Sequence, residues 1–221
     1  MGNYFGSKAT SGLYQAIISI MPPHDTYIET HLGGGAIMIR KPPSLKSIGI
    51  DIDPHPIREF KCSYPVDLIN GCAHEFLRSY DYTGSELIYS DPPYLASTRT
   101  SKRKYRFEYT DEFHRELLEL LKTLPCHIIV SGYSSLLYDK LLPDWNTMEL
   151  QVMNQGGVRT EKLWFNFEVN RVHWPRFAGK NFTDRQRIKR KVETWRRRYS
   201  AMPYAERLAI MAALMEVESQ Q

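Results

Sequence analysis

Asp91-Pro92-Pro93-Tyr94 is the segment of this 221-residue chain most able to do chemistry. It follows Leu87-Ile88-Tyr89-Ser90, which is apolar enough to end a buried strand. An acid, two prolines and an aromatic ring at a strand's carboxyl end form a rigid, polar, flat-walled slot. Such a slot suits a planar base carrying an exocyclic amine. That amine is a poor nucleophile, because its lone pair is delocalised into the ring. A carboxylate accepting one N–H and a backbone carbonyl accepting the other pull the nitrogen toward tetrahedral geometry. Proline fixes φ and leaves its carbonyl free to accept, and a tyrosine can stack on the base. Asp and Pro are also common turn residues, so an ordinary turn stands beside this reading.

The elements that must position the slot follow from hydrophobic period and breakers. Residues 10–20 have helical spacing, ended by Met21-Pro22-Pro23. Strands are expected at 27–29, 47–51, 68–69, 87–89, 126–130, 148–152 and 161–169, the last two joined through Gly156-Gly157. Helices are expected at 36–40, 56–61, 73–80, 111–124 and 135–142. In the fourth of these, Phe113, Leu117, Leu120 and Leu121 would share the apolar face. Strands alternating with helices imply a mainly parallel sheet covered on both sides, which makes residues 1–175 one α/β domain. Residues 176–221 read as a basic helical tail, with Ile188, Val192 and Trp195 forming one apolar stripe and Pro203 starting a last helix.

Ligands of open parallel sheets bind beyond the carboxyl ends of the strands. Three further groups fall at such ends. Glu29-Thr30-His31-Leu32-Gly33-Gly34-Gly35 lets a ligand approach the backbone and allows positive φ. It is neither the G-x-G-x-x-G fingerprint nor a P-loop, so an adenosine-like ligand without phosphates fits better. Asp51, about 20 residues further on, is placed for ribose hydroxyls, and Asp53 before Pro54 suits a helix cap. Ser131-Gly132-Tyr133 closes the central strand and leaves room for something planar. Ahead of the first helix, Tyr4-Phe5-Gly6-Ser7-Lys8 brings a ring, a tight turn and a cation together. His31 reads as a hydrogen-bonded structural residue rather than a metal ligand.

The net charge of +4 is unevenly spread. Residues 176–198 hold ten Lys/Arg against Asp184 and Glu193, so that segment is +8 and the rest of the chain −4. Arg99, Lys102, Arg103, Lys104 and Arg106 form a second basic cluster after the slot. Both suggest a polyanionic partner, and in the tail Arg185, Lys189 and Arg190 are the candidate phosphate contacts. A solvated helix face is the plainer account of the tail. Cys62, Cys72 and Cys126 form no paired short spacing, which fits a reducing cytoplasm and no zinc site. Cys126 suits a buried small hydrophobe. No apolar run approaches the roughly 18 residues that span a bilayer, and the N-terminal residues lack a signal-peptide layout.

The order Tyr4-Phe5-Gly6-Ser7-Lys8, Glu29 with Leu32-Gly33-Gly34-Gly35, Asp51, then Asp91-Pro92-Pro93-Tyr94 resembles the Dam-like DNA adenine N6-methyltransferases over residues 3–168. The resemblance implies a Rossmann-like S-adenosylmethionine-dependent methyltransferase fold in a bacterial or phage-infected cell. It implies that Tyr4, Gly6, Lys8, Glu29, Leu32, Gly33, Gly34, Gly35 and Asp51 hold S-adenosylmethionine. Asp91, Pro92, Pro93 and Tyr94 would take a flipped adenine from duplex DNA, with no metal. Two departures stand out. Cys72 in Asn70-Gly71-Cys72-Ala73 occupies the place of an acid that often meets the cofactor's adenine. Only 37 residues separate Asp53 from Asp91, too few for a target-recognition insert. Base reading then falls to Thr98–Tyr109 or the tail, or is weak. The compact form resembles phage or prophage members of the family. An adenine methyltransferase acting on RNA, and a non-catalytic nucleic-acid-binding protein on the same fold, are the competing readings.

Overall fold

The computed structural model describes residues 8, 12–98, 106–154, 157–169, 178–179 and 182–219. The chain divides into two compact units, 1–177 and 178–221.

The first unit is built on a seven-stranded sheet in the order β3-β2-β1-β4-β5-β7-β6. The strands are β1 (Thr26–Glu29), β2 (Lys46–Asp51), β3 (Asp67–Asn70), β4 (Glu86–Ser90), β5 (His127–Gly132), β6 (Asn146–Asn154) and β7 (Gly157–Phe165). The first five are parallel. β7 runs antiparallel to both β5 and β6, pairing Ser131 with Leu163 and Leu150 with Glu161. Alternate residues of the central strands feed opposite faces, as the strand period of two requires. Tyr27, Leu87, Tyr89 and Ile129 join a core with α1 (Leu13–Ile20). Ile28, Ile88, Ile128 and Val130 join another with α3 (Ala73–Ser79), α4 (Asp111–Thr123) and α5 (Leu136–Leu141). Full burial on both faces explains why these strands read as continuous apolar runs.

Three expectations need correction. Residues 36–40 form turns, with bonds such as Ile39 N–H to the Gly35 carbonyl, and no helix. Pro42-Pro43 and the buried Glu29 contact below leave no length for one. In α4 the buried face is His114, Leu117, Leu118 and Leu121, whereas Phe113 is 47 % exposed. The helix is rotated so that His114 reaches Tyr138, its Nδ1 lying 2.9 Å from the hydroxyl. β7 stops at Phe165 and begins at Gly157, four residues earlier than expected, because its pairing with β6 extends to Asn154. The cap of α2 (Pro54–Glu59) is as expected: Asp53 Oδ1 accepts from His55 N–H at 2.9 Å. Cys126 is buried.

The second unit holds α6 (Phe182–Ala201) and α7 (Tyr204–Ser219). The turn between them is fixed by Tyr199, whose hydroxyl donates to the Arg207 carbonyl at 3.0 Å. Val192 and Trp195 on α6 and Leu208, Met211, Leu214 and Met215 on α7 are each about half exposed or more. Among the described residues no helix is long and apolar enough to cross a membrane.

Candidate active site

The carboxyl ends of β1, β2 and β4 open into one pocket. Its lining joins Lys8, Glu29, Leu32, Gly33, Gly34, Gly35 and Asp51 to Asp91, Pro92, Pro93 and Tyr94. The glycine turn and the Asp-Pro-Pro-Tyr slot, 56 residues apart in sequence (35 to 91), therefore share a single cavity.

The glycine side is held by carboxylates. Gly33 (φ 48°) and Gly35 (φ 59°) are in the left-handed region that other residues avoid. Gly33 N–H donates to Asp51 Oδ2 at 2.8 Å, and Asp53 N–H donates to Asp51 Oδ1 at 2.9 Å. Burial raises the Asp51 carboxyl, and these two N–H groups oppose that. Each oxygen keeps a lone pair for a further donor such as a ribose hydroxyl. Glu29 Oε2 accepts from the Tyr27 hydroxyl at 3.1 Å and from Met38 N–H at 3.0 Å. Burial pushes its carboxyl up to about 8, against those two bonds and with Asp91 adding to it. Glu29 thus anchors the loop from within as well as lining the pocket. Gly35 is required by packing: a Cβ there would lie 2.1 Å from the Phe60 ring. Asn70 ties β3 to the end of β2, its amide donating to the carbonyls of Asp51 and Ile52. Cys72 Sγ lies 3.8 Å from His74 Nδ1 and is not part of the pocket lining. His31 is hydrogen-bonded on both nitrogens, to Thr30 Oγ1 (2.8 Å) and the Tyr109 hydroxyl (3.1 Å). Burial, then His74 and His114, push it down to about 3.

The slot side carries the charge. Lys8 is buried, and its ammonium lies 2.9 Å from Asp91 Oδ1 and donates to the Tyr94 hydroxyl at 2.6 Å. A second carboxylate, Glu161 on β7, lies 3.5 Å from the same ammonium and accepts from the Tyr94 hydroxyl at 2.6 Å. Ser131 Oγ donates to Asp91 Oδ1 at 2.8 Å and lies 2.9 Å from the Tyr89 hydroxyl. Burial lowers Lys8, but Asp91 and then Glu161 outweigh it and hold the ammonium well above its usual range. Burial raises Asp91, with Lys8 pulling the other way.

Two of the pocket residues have protein partners that sequence alone did not supply. Lys8, assigned to the cofactor, contacts the slot carboxylate itself. Tyr94 gives its ring to Tyr133, stacked at 4.1 Å between centroids and 21°, and is 9 % exposed. The planar groups beside Gly132 are the protein's own: a Cβ there would lie 3.7 Å from the Trp164 ring and 3.9 Å from the Tyr138 ring. Sequence reasoning missed Glu161 and Tyr89 as site residues, and put Ser131 on the rim without its part in holding Asp91. Ser131 was legible from its place at the end of a central strand. Glu161 was not, because it lies in the middle of a strand whose direction local sequence does not fix.

Of the basic candidates, Arg106 lines the same pocket and pairs with Asp53 at 3.1 Å, its side chain 65 % exposed. Lys189 and Arg190 are exposed on α6, and Arg185 is half-buried there, donating to the Gly179 carbonyl at 3.4 Å. Tyr4, Gly6, Arg99, Lys102, Arg103 and Lys104 lie outside the described residues. Among the described residues no three His, Cys, Asp or Glu gather as a metal site.

No family model matches the chain, and no curated protein matches it in sequence. Solved structures do. A precorrin 8W decarboxylase from Methanobacterium thermoautotrophicum is 16 % identical with a TM-score of 0.48, covering 75 % of this chain and 97 % of that one. The N-methyltransferase NodS from Bradyrhizobium japonicum is 13 % identical (TM-score 0.45; 70 % and 93 % covered). A dimethyladenosine transferase from Plasmodium falciparum is 14 % identical (TM-score 0.46; 69 % and 60 % covered). The chain's own strand order, with five parallel strands and an antiparallel β7, defines a Rossmann-like α/β fold of the S-adenosylmethionine-dependent methyltransferase type.

Proposed function

We propose that this protein transfers a methyl group from S-adenosylmethionine to the N6 amine of adenine in DNA. One observation carries the reading: Asp91-Pro92-Pro93-Tyr94 and the Gly33–Asp51 clasp line the same pocket. A donor seated on the clasp and an amine seated in the slot would be neighbours, and proximity is the larger part of what such a reaction needs.

The residues present fit the donor. Asp51 has lone pairs left for ribose, and the turn at Gly33–Gly35 keeps side chains out of the floor. The slot holds two carboxylates, Asp91 and Glu161, against one ammonium, Lys8. When bound, S-adenosylmethionine supplies an activated methyl: the amine lone pair forms the N–C bond while the C–S electron pair stays on sulfur. Asp91 accepts an amine N–H, concentrates electron density on that nitrogen and is the first acceptor of the proton it sheds. Ser131 and Lys8 hold the Asp91 carboxylate in place. Reaching N6 in a duplex requires extruding the base, at a cost of a few kcal/mol. The basic side chains of 99–106 and α6 would hold phosphates and make affinity steeply salt-dependent.

Transfer to adenine in RNA is the second reading. The 37 residues between Asp53 and Asp91 hold only α2, β3, α3 and β4, with no insert to read a duplex, which favours an already unpaired base. Transfer of labelled methyl to duplex DNA and to structured RNA of matched length tests both. Faster transfer to duplex DNA supports the first reading, faster transfer to RNA replaces it with the second, and transfer to neither refutes both.

A further inference from the structure

We propose that Glu161 is a positioning residue for this reaction: it shares the Lys8 ammonium with Asp91 and so keeps the Asp91 carboxylate able to accept the substrate amine. The inference rests on the reading above, since it concerns the same slot.

The geometry is a closed triangle. Lys8 has three donors. One is directed to Asp91 Oδ1 at 2.9 Å and one to the Tyr94 hydroxyl at 2.6 Å, and Glu161 Oε2 faces the same ammonium at 3.5 Å. Glu161 Oε1 closes the figure by accepting from Tyr94. Glu161 is 5 % exposed, and among the described residues its Oε2 has no hydrogen-bond partner beyond that ion-pair contact. A buried carboxylate so loosely satisfied is costly, so its retention there needs a reason beyond packing.

The reason lies in competition for Asp91. Oδ1 already receives Ser131 and Lys8. An ammonium with a single counter-ion would draw that carboxylate's charge onto itself and make it a weaker acceptor. With Glu161 opposite, the ammonium is held between two anions. It orients Asp91 and Tyr94 without neutralising Asp91. The titratable groups facing Lys8 are Asp91, Tyr94 and Tyr89 from β4 and the loop after it, and Glu161 from β7. Asp91 in turn raises the buried Glu29 carboxyl on β1.

The test is a two-residue cycle, Lys8→Met and Glu161→Gln, with the double variant. Glutamine keeps an acceptor for Tyr94 and removes the charge. Glu161→Gln should lower kcat by roughly tenfold or more, leave the affinity for S-adenosylmethionine within about threefold, and move the alkaline limb of the pH profile to lower pH, because Lys8 loses one of the anions that raise it. Lys8→Met should move the acid limb to higher pH, because Asp91 and Glu161 then face each other without a cation. The double variant should return that limb toward the wild type and exceed the Lys8→Met rate about tenfold. Additive losses, or limbs that stay in place, overturn the proposal. Cofactor affinity by calorimetry reports whether each variant is folded. Should the wild type methylate no nucleic acid, the proposed function fails. The coupling of Lys8 and Glu161 is then read from the same cycle in urea unfolding, where additivity overturns it independently.

Discussion

Replacing Asp91 by Asn separates the slot's chemistry from its shape. Asparagine has the same outline, and its Oδ1 can still accept from Ser131 and Lys8, the two contacts at 2.8 and 2.9 Å that hold the carboxylate. What disappears is the negative charge facing the amine. A preorganised group aimed at charge that develops in the transition state contributes about 3–4 kcal/mol, and a single charge-assisted hydrogen bond about 1.5–3. The amine gains positive charge as the N–C bond forms, so a loss of about 2–4 kcal/mol is expected, or a fall of roughly 30- to 1,000-fold in kcat. Affinity for S-adenosylmethionine should stay within about threefold, because the Gly33–Asp51 clasp is untouched. Single-turnover transfer of labelled methyl to adenine-containing duplex, with calorimetry for the cofactor, measures the two quantities separately. Alanine at the same position should be worse in both activity and stability, since it also removes an acceptor from Ser131 and leaves Glu161 as the one carboxylate beside Lys8 among the described residues. Full single-turnover activity in Asp91→Asn would refute the slot mechanism. A loss confined to cofactor affinity would do the same, by moving Asp91 to the donor's half of the pocket.

Three other perturbations probe the surroundings. Gly35→Ala should cost about 2–4 kcal/mol in urea unfolding, from left-handed backbone and from driving a Cβ into Phe60; a neutral result would mean the turn adapts. Glu29→Gln tests the buried carboxyl whose pKa is pushed up to about 8. Folding favours its protonated form, so that contribution is complete below about pH 4.5 and is lost as pH rises through 8. Relative to wild type the variant should therefore gain stability between about pH 5 and 8, by at most roughly 5 kcal/mol. A pH-independent difference would sink the assignment. Lys189→Gln with Arg190→Gln on α6 should reduce the slope of log K for duplex against log salt by up to about 1.8, and an unchanged slope would take both residues off the interface.

Much of the parallel half of the fold was legible because its causes are local. β1, β2, β4 and β5 are short apolar runs punctuated by Gly, Pro and Asp, and a parallel strand must deliver its last residue to the ligand edge. That rule placed Glu29, Asp51, Asp91 and Ser131 on one rim from spacing alone. Turns such as 36–40 were misread as helix because five apolar and basic residues fit either form. What decides is that Met38 N–H goes to Glu29, a partner nine residues away. The α4 face was misassigned by one position for a similar reason: His114 counts as polar in a pattern, but inside it reaches Tyr138 and packs as an aromatic ring.

The antiparallel strand accounts for the residue that pattern reading could not supply. In a parallel strand the catalytic edge receives the last residues, and in β7 it receives Glu161, the residue just before the stretch that pairs with β5. Strand direction is set by tertiary pairing, here Ser131 with Leu163 and Gly132 with Lys162, which puts Glu161 just past the end of β5. The carboxylate then arrives opposite Asp91 with the Lys8 ammonium between them. Four groups from three distant stretches of chain, at positions 8, 91, 94 and 161, meet within hydrogen-bond or ion-pair distance. A tetrapeptide can announce an acid and a ring. Whether that acid is a free acceptor, a neutralised counter-ion or a shared one depends on charges brought from elsewhere, and in this pocket β7 brings the second anion.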